Sequence, residues 1–244
     1  MSWLRRAVLA LALALALTGT ASAQTYVGGA TSGYVASSTP SVTYTATSGN
    51  LLFYLVTVNG TATCTAAPSG WTTTSDTTLG IFGNFGQCAA WKIASGSDAY
   101  GWTLSAVAGH TAAVIEYSGM GATPTLALVS QANNTNTPSS GNITAANGDL
   151  VIATLTDSYE TAALTNPTGY TGRTLTGASQ VHYGTAFAMM GALADKVSSG
   201  ATENPQWTMS DTHFAGVGAY VFTPSGGGGT PACRQLLLGS GRCG

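Results

Sequence analysis

The chain has 244 residues, with seven Lys and Arg against nine Asp and Glu, a formal net charge of −2, and 44% hydrophobic residues. So few cations leave nothing to neutralise phosphates, which excludes nucleic acid as a partner, and no polybasic patch is present to hold a membrane surface. Apolar runs recur at regular spacing, unlike a disordered chain, and the length is ample for a core.

Residues 1–23 read as a signal peptide. Arg5 and Arg6 form a positive start, Ala7 to Thr18 an apolar stretch of alternating Leu and Ala, and Ala21-Ser-Ala23 a small-x-small cleavage pattern. The apolar run is short of the ~20 residues a membrane span needs. The mature chain is therefore expected to start at Gln24, with no later membrane span, and to sit outside the cytoplasm: extracellular, at the cell surface, or in the periplasm.

From Thr25 to Ser48 small polar residues with scattered Tyr and Val suit short strands. Leu51 to Val58 is apolar at successive positions, as expected of a central strand covered on both faces, and Asn59-Gly60 follows as a turn. Pro68-Ser-Gly70 is a second turn, with Gly70 free to take positive φ before Trp71. Around Trp91 a two-residue period places Cys88, Ala90 and Lys92 opposite Ala89, Trp91 and Ile93. Tyr100 to Ser105 and His110 to Tyr117 complete this half, with Glu116 on the face opposite Ala113, Ile115 and Tyr117.

The pattern then repeats. Pro68-Ser-Gly-Trp-Thr72 returns as Pro167-Thr-Gly-Tyr-Thr171, Gly49-Asn50 before Leu51 as Gly148-Asp149 before Leu150, and Trp102-Thr-Leu-Ser105 as Trp207-Thr-Met-Ser210. Leu126 to Val129 is a strand within the linking segment. Leu150 to Thr156, Tyr170 to Thr176, Thr185 to Val197, Gln206 to Ser210 and Phe214 to Phe222 follow as strands. The expectation is an all-β, jelly-roll-like β-sandwich built from two internal repeats, residues 24–123 and 124–224. Two separate sandwiches are the alternative; a single one is favoured because each repeat holds only about five clear strands. Residues 225–244 form a Gly-rich linker and a Cys-containing tail.

Four cysteines in an exported chain read as disulfides. Cys64 and Cys88 are expected to pair, because their counterparts, Ala163 and Ala192, lack sulfur together. Cys233 and Cys243 would form a small C-terminal ring. A four-thiolate zinc site lacks any C-x-x-C spacing.

The pieces Gly49-Asn-Leu-Leu52, Pro68-Ser-Gly-Trp-Thr72, Trp91-Lys-Ile-Ala94, Trp102-Thr-Leu-Ser105 and Tyr117-Ser-Gly119 resemble a family of β-sandwich modules of exported bacterial proteins and phage tail or virion-associated proteins. Ala194-Asp-Lys196 and Trp207-Thr-Met-Ser210 are similar to the second half of that family's pattern. Asn50 in place of Asp and the Cys64/Cys88 pair depart from it. The resemblance implies a fold without any catalytic signature.

Chemistry is thinly represented. His110 and His213 precede the last strands of the two repeats and read as structural; His182 is the third histidine. Asp211-Thr-His213 offers two ligands on one strand face, too few for a closed metal site, and neither H-E-x-x-H nor Gly-x-Ser-x-Gly occurs. A triad of a serine with His182 and Asp157 has no spacing to recommend it. Glu116 is the carboxylate of most interest, and its parity points it to solvent. Trp71, Tyr170, Trp102 and Trp207 suit core positions better than sugar platforms. The function expected is a non-catalytic, exported module with a structural or surface-binding role, no cofactor, and surface glycans or other protein subunits as partners. A carbohydrate-binding module of the cell envelope is the alternative, and a secreted hydrolase a remoter one.

Overall fold

The computed structural model describes residues 24–73, 85–157, 163–173 and 190–225. The expected signal peptide, His182, Thr174 to Met189 of the expected strands, Cys233 and Cys243 lie outside the described residues. Every regular element described is a strand. In the first half these are β1 (Thr25–Ser37), β2 (Leu51–Asn59), β3 (Cys64–Ala66), β4 (Thr72–Thr73), β5 (Phe85–Ile93), β6 (Thr103–Leu104) and β7 (Ala108–Ser118). In the second they are β8 (Met120–Thr135), β9 (Ile143–Thr144), β10 (Asn147–Asp157), β11 (Leu164–Thr165), β12 (Thr171–Gly172), β13 (Met190–Ser199), β14 (Thr202–Glu203), β15 (Thr208–Met209) and β16 (His213–Pro224).

Two five-stranded antiparallel sheets result. The first runs β1-β7-β2-β5-β4 and the second, read from the equivalent end, β8-β16-β10-β13-β12. Leu51 to Val58 is central, as apolar residues on both of its faces require: β2 is flanked by β7 and β5, and all eight residues are buried, Thr57 with its hydroxyl against that of Thr111. β10 holds the same place between β13 and β16. The jelly-roll-like interleaving expected from sequence is corrected by this order, since each sheet takes all its strands from one half. Hydrophobic parity says which residues share a face; it carries no information on which strands share a sheet.

Because both faces of each sheet are apolar, each needs two coverings. The inner faces cover each other: Phe53, Ala89, Trp91, Ile115 and Tyr117 pack with Leu150, Ile152, Leu193, Tyr220 and Phe222. Phe53 lies 4.7 Å from Tyr220 between ring centroids, and Trp91 lies 6.1 and 6.2 Å from Tyr220 and Phe222. The outer face of the first sheet (Leu52, Tyr54, Val56, Ala90, Val114) is covered by Val42, Ala46, Trp71, Tyr100, Trp102 and Leu104. Ile143, Ala145, Tyr170, Trp207 and Met209 cover the second. The alternation read around Trp91 is seen here directly, Cys88 and Ala90 in the outer core and Ala89 and Trp91 in the inner one.

Trp91 should therefore be the strongest single tie between the sheets. Replacing it by Ala should lower the unfolding free energy by about 3–5 kcal/mol, measured by equilibrium urea melts. The exposed Val197→Ala (52% exposed) should change it by less than about 0.5 kcal/mol.

Candidate functional site

The duplicated Pro-x-Gly-aromatic turn is built alike in both halves. The Pro68 carbonyl accepts the Trp71 N–H at 3.2 Å and the Pro167 carbonyl the Tyr170 N–H at 2.9 Å. Both turns need φ near +80° at their glycines, Gly70 and Gly169. A lysine closes each from the neighbouring strand. Lys92 Nζ lies 5.9 Å from the Trp71 ring centroid and 2.6 Å from Asp98 Oδ1; Lys196 Nζ lies 5.8 Å from the Tyr170 ring and 2.7 Å from Glu203 Oε2. The turn, the ring and the acid are thus held by one cation. Lys92 is offset from Lys196 by 104 residues and Asp98 from Glu203 by 105, a signal present in the sequence.

Glu116 sits as its parity requires, opposite Ile115 and Tyr117, but its surroundings correct the expectation of solvent. It is 1% exposed, because the segment before β2 folds over that face. Its carboxylate accepts the Tyr44 hydroxyl at 2.6 Å, the Thr47 N–H at 2.9 Å and the Asn50 amide at 2.5 Å. Burial, then the hydrogen bond to Glu116, push the Tyr44 hydroxyl well above its usual range. The second half solves the same turn differently. Asp149 there accepts the Ala146 N–H itself at 2.7 Å. Leu51 pairs with Tyr117, and Leu150 with Phe222, so the residue standing in Glu116's place is Val221. One carboxylate serves each turn, from β7 in the first half and from the turn in the second. That accounts for Asn50: an Asp there would meet Glu116.

A second polar cluster joins the sheets. Arg173, just after β12, pairs with Asp195 on β13, and Asp195 also accepts the Tyr117 hydroxyl from the first sheet. The Arg173 guanidinium stacks 4.2 Å from the Tyr26 ring on β1. Complete burial, then the neighbouring Asp195 charge, raise the Tyr117 hydroxyl far above its ordinary value. Toward the other end of the interface Gln87 Oε1 accepts the Thr156 and Thr154 hydroxyls at 3.0 and 3.3 Å. Neither cluster was singled out in the sequence, since its partners lie in different halves.

Cys64 and Cys88 form a disulfide, tying the outer β3 to β5. Register corrects one detail of its echo: Cys64 pairs with Leu104 and Leu164 with Met209, so Leu164, not Ala163, occupies the place of Cys64. An irregularity between Cys64 and Ala66 absorbs the extra residue. Cys88 does match Ala192, as Val56 pairs with the one and Leu155 with the other. His110 and His213 are likewise not equivalent: His110 pairs with Val58, while Asp157, which stands where Val58 does, pairs with Ala215. Burial pulls the His110 imidazole below its usual pKa, against backbone carbonyls of Ala108 and Ser37 that push it up. Asp211 lies in the bend before β16 and accepts the Ser210 hydroxyl at 2.7 Å, so it shares no strand face with His213. Trp71, Tyr170, Trp102 and Trp207 are buried core residues, not an exposed platform.

Among the described residues no three His, Cys, Asp or Glu side chains come together, and Asp211 is the one exposed charged side chain. Compared with known proteins, the chain matches no family model, no curated protein and no solved structure.

Two outcomes follow from these contacts. Asn50→Asp should destabilise the fold by on the order of 3 kcal/mol at neutral pH by confining two carboxylates together. The loss should shrink toward acid pH as one of them takes a proton, and Asn50→Asp with Glu116→Val should recover most of it in urea melts at pH 7. For His110, a depressed pKa means that stability is full above the ordinary imidazole value of about 6.5 and falls as pH drops below it, since the unfolded chain takes up the proton first. His110→Gln should flatten that part of a stability-versus-pH curve between pH ~7.5 and ~5.5.

Proposed function

We propose that this chain is an exported, non-catalytic β-sandwich module with a structural or surface-binding role, in a cell envelope or on a phage tail or virion. The observation that carries this reading is how the charged side chains are used. Lys92, Arg173 and Lys196 are each ion-paired, and Glu116 and Asp149 hold backbone turns. These groups, among the described residues, are thus committed to building the fold. Matching strand orders and matching lysine clamps support a tandem duplication, with each repeat supplying one sheet. The disulfide is compatible with the oxidising setting that export implies. The resemblance of the Pro-x-Gly-Trp-Thr and Trp-Lys-x-Ala pieces to modules of exported and virion-associated proteins leads the same way. The partners of such a module are other protein subunits or surface glycans.

Mass spectrometry of washed envelope, culture supernatant and purified virions tests this. The expected result is a chain beginning at Gln24 in at least one of these fractions. Recovery only as the uncut chain in the cytoplasm would sink export, and a hydrolytic activity abolished by Glu116→Gln would sink the non-catalytic role.

A further inference from the structure

We propose that Asn147-Gly148 is a self-modifying site, at which the Asn147 side chain loses ammonia to the backbone and the chain is relinked through an isoaspartyl bond. The sequence holds two Asn-Gly pairs, Asn59-Gly60 and Asn147-Gly148. A glycine after the asparagine has no Cβ to obstruct ring closure, so these are the pairs that favour it. Asn59 is half-buried at the end of β2, its backbone paired with Phe85. Asn147 is exposed, ahead of the irregularity between Asn147 and Leu150. It and Gly148 are the central residues of the turn that the Asp149 N–H closes on the Ala146 carbonyl at 3.1 Å.

The surroundings leave the reacting groups room. Gly148 has φ +90°, and no atom beyond its chain neighbours lies within 4 Å of where a Cβ would stand. The Asn50 carboxamide is tied to Glu116 and that of Asn204 to Ser139, whereas no side-chain hydrogen bond to a described residue restrains that of Asn147. The Gly148 amide nitrogen adds to Asn147 Cγ. The bond from Cγ to Nδ2 breaks, and ammonia leaves with the proton that the Gly148 nitrogen gives up. One water then opens the five-membered imide at either carbonyl. Opening at the side-chain carbonyl gives an ordinary aspartyl link, and opening at the main-chain carbonyl an isoaspartyl one, with a backbone one methylene longer. Water is consumed and ammonia lost, so no oxidant or cofactor is required.

The added methylene falls where several contacts meet. The Gly148 carbonyl accepts the Gln24 side-chain amide at 2.5 Å. The Asp149 carboxylate, which accepts the Ala146 N–H at 2.7 Å, gains a second carboxylate two residues away. A Cβ on Gly200 would stand 3.2 Å from the Asn147 nitrogen, so the chain has little slack there. Leu150, an inner-face residue of β10, follows at once. Conversion therefore loosens the entry to the central strand of the second sheet. In the first half Ser48 stands where Asn147 does, in the turn that the Asn50 N–H closes on the Thr47 carbonyl at 3.2 Å, and a serine forms no imide. Of two equivalent turns, one ages and the other does not.

The experiment uses the full chain, held for weeks in mildly alkaline buffer, where the attacking nitrogen loses its proton more readily. Peptide mapping by mass spectrometry, with isoaspartyl methyltransferase as the probe for the relinked form, should find product forming several-fold faster at Asn147 than at Asn59. In the purified product the amides from Asp149 to Ile152 should exchange several-fold faster than in the original chain. Asn147→Ser, which copies the first half, should abolish that product and leave the thermal midpoint unchanged. Asn147 still intact after Asn59 has converted would overturn the proposal, as would conversion seen only when urea unfolds the chain, or a product whose β10 amides exchange no faster. If the serine variant fails to fold, mapping and exchange on the unsubstituted chain decide alone.

Discussion

Everything in this molecule depends on two sheets burying one face of each against the other. Phe53, Trp91 and Ile115 on one side and Ile152, Tyr220 and Phe222 on the other lose water together, each large side chain contributing roughly 1.5–3 kcal/mol. Neither sheet could stand with that face bare. Because the opposite faces are equally apolar, each sheet also draws irregular chain and two-stranded ribbons over its outside. The lysine clamps belong to that outer covering: they hold a tight turn, and the ring that follows it, down onto the sheet.

The two halves keep the same backbone with different chemistry. Asn50 with Glu116 and Asp149 with Val221 are alternative ways of satisfying one turn, differing only in which element carries the carboxylate. The inner face shows a similar exchange. Trp91 and Asp195 occupy equivalent registers, opposite Phe53 and Ile152. One fills space between Tyr220 and Phe222, and the other binds Tyr117 and Arg173. Apolar volume at one site and a satisfied buried ion pair at the other both keep the sheets in register, the second at a desolvation cost that its hydrogen bonds must offset.

Much of this was legible beforehand. The two apolar faces of β2, the positive φ at Gly70 and Gly169, the alternation around Trp91 and the Cys64–Cys88 bond all follow from local pattern or from comparing one half with the other. What failed to show has a common cause. Parity told which way Glu116 pointed but not that Tyr44, Thr47 and Asn50 would arrive over it, because a covering segment leaves no periodic trace on the strand it covers. Constant offsets misplaced Cys64's counterpart and equated His110 with His213, because one-residue irregularities are absorbed inside short strands and bends. The sheet partnership of the strands was likewise absent from any single strand's pattern.

The disulfide lies in the first half alone. The Cys64–Cys88 bond limits how far the outer covering can part from β5 in the unfolded chain. In the second half Leu164 and Ala192 occupy the corresponding places, and the covering there is held by packing and by the Lys196 clamp. One sheet thus carries its outer layer on a covalent tether and the other on contacts that any opening of the chain can release.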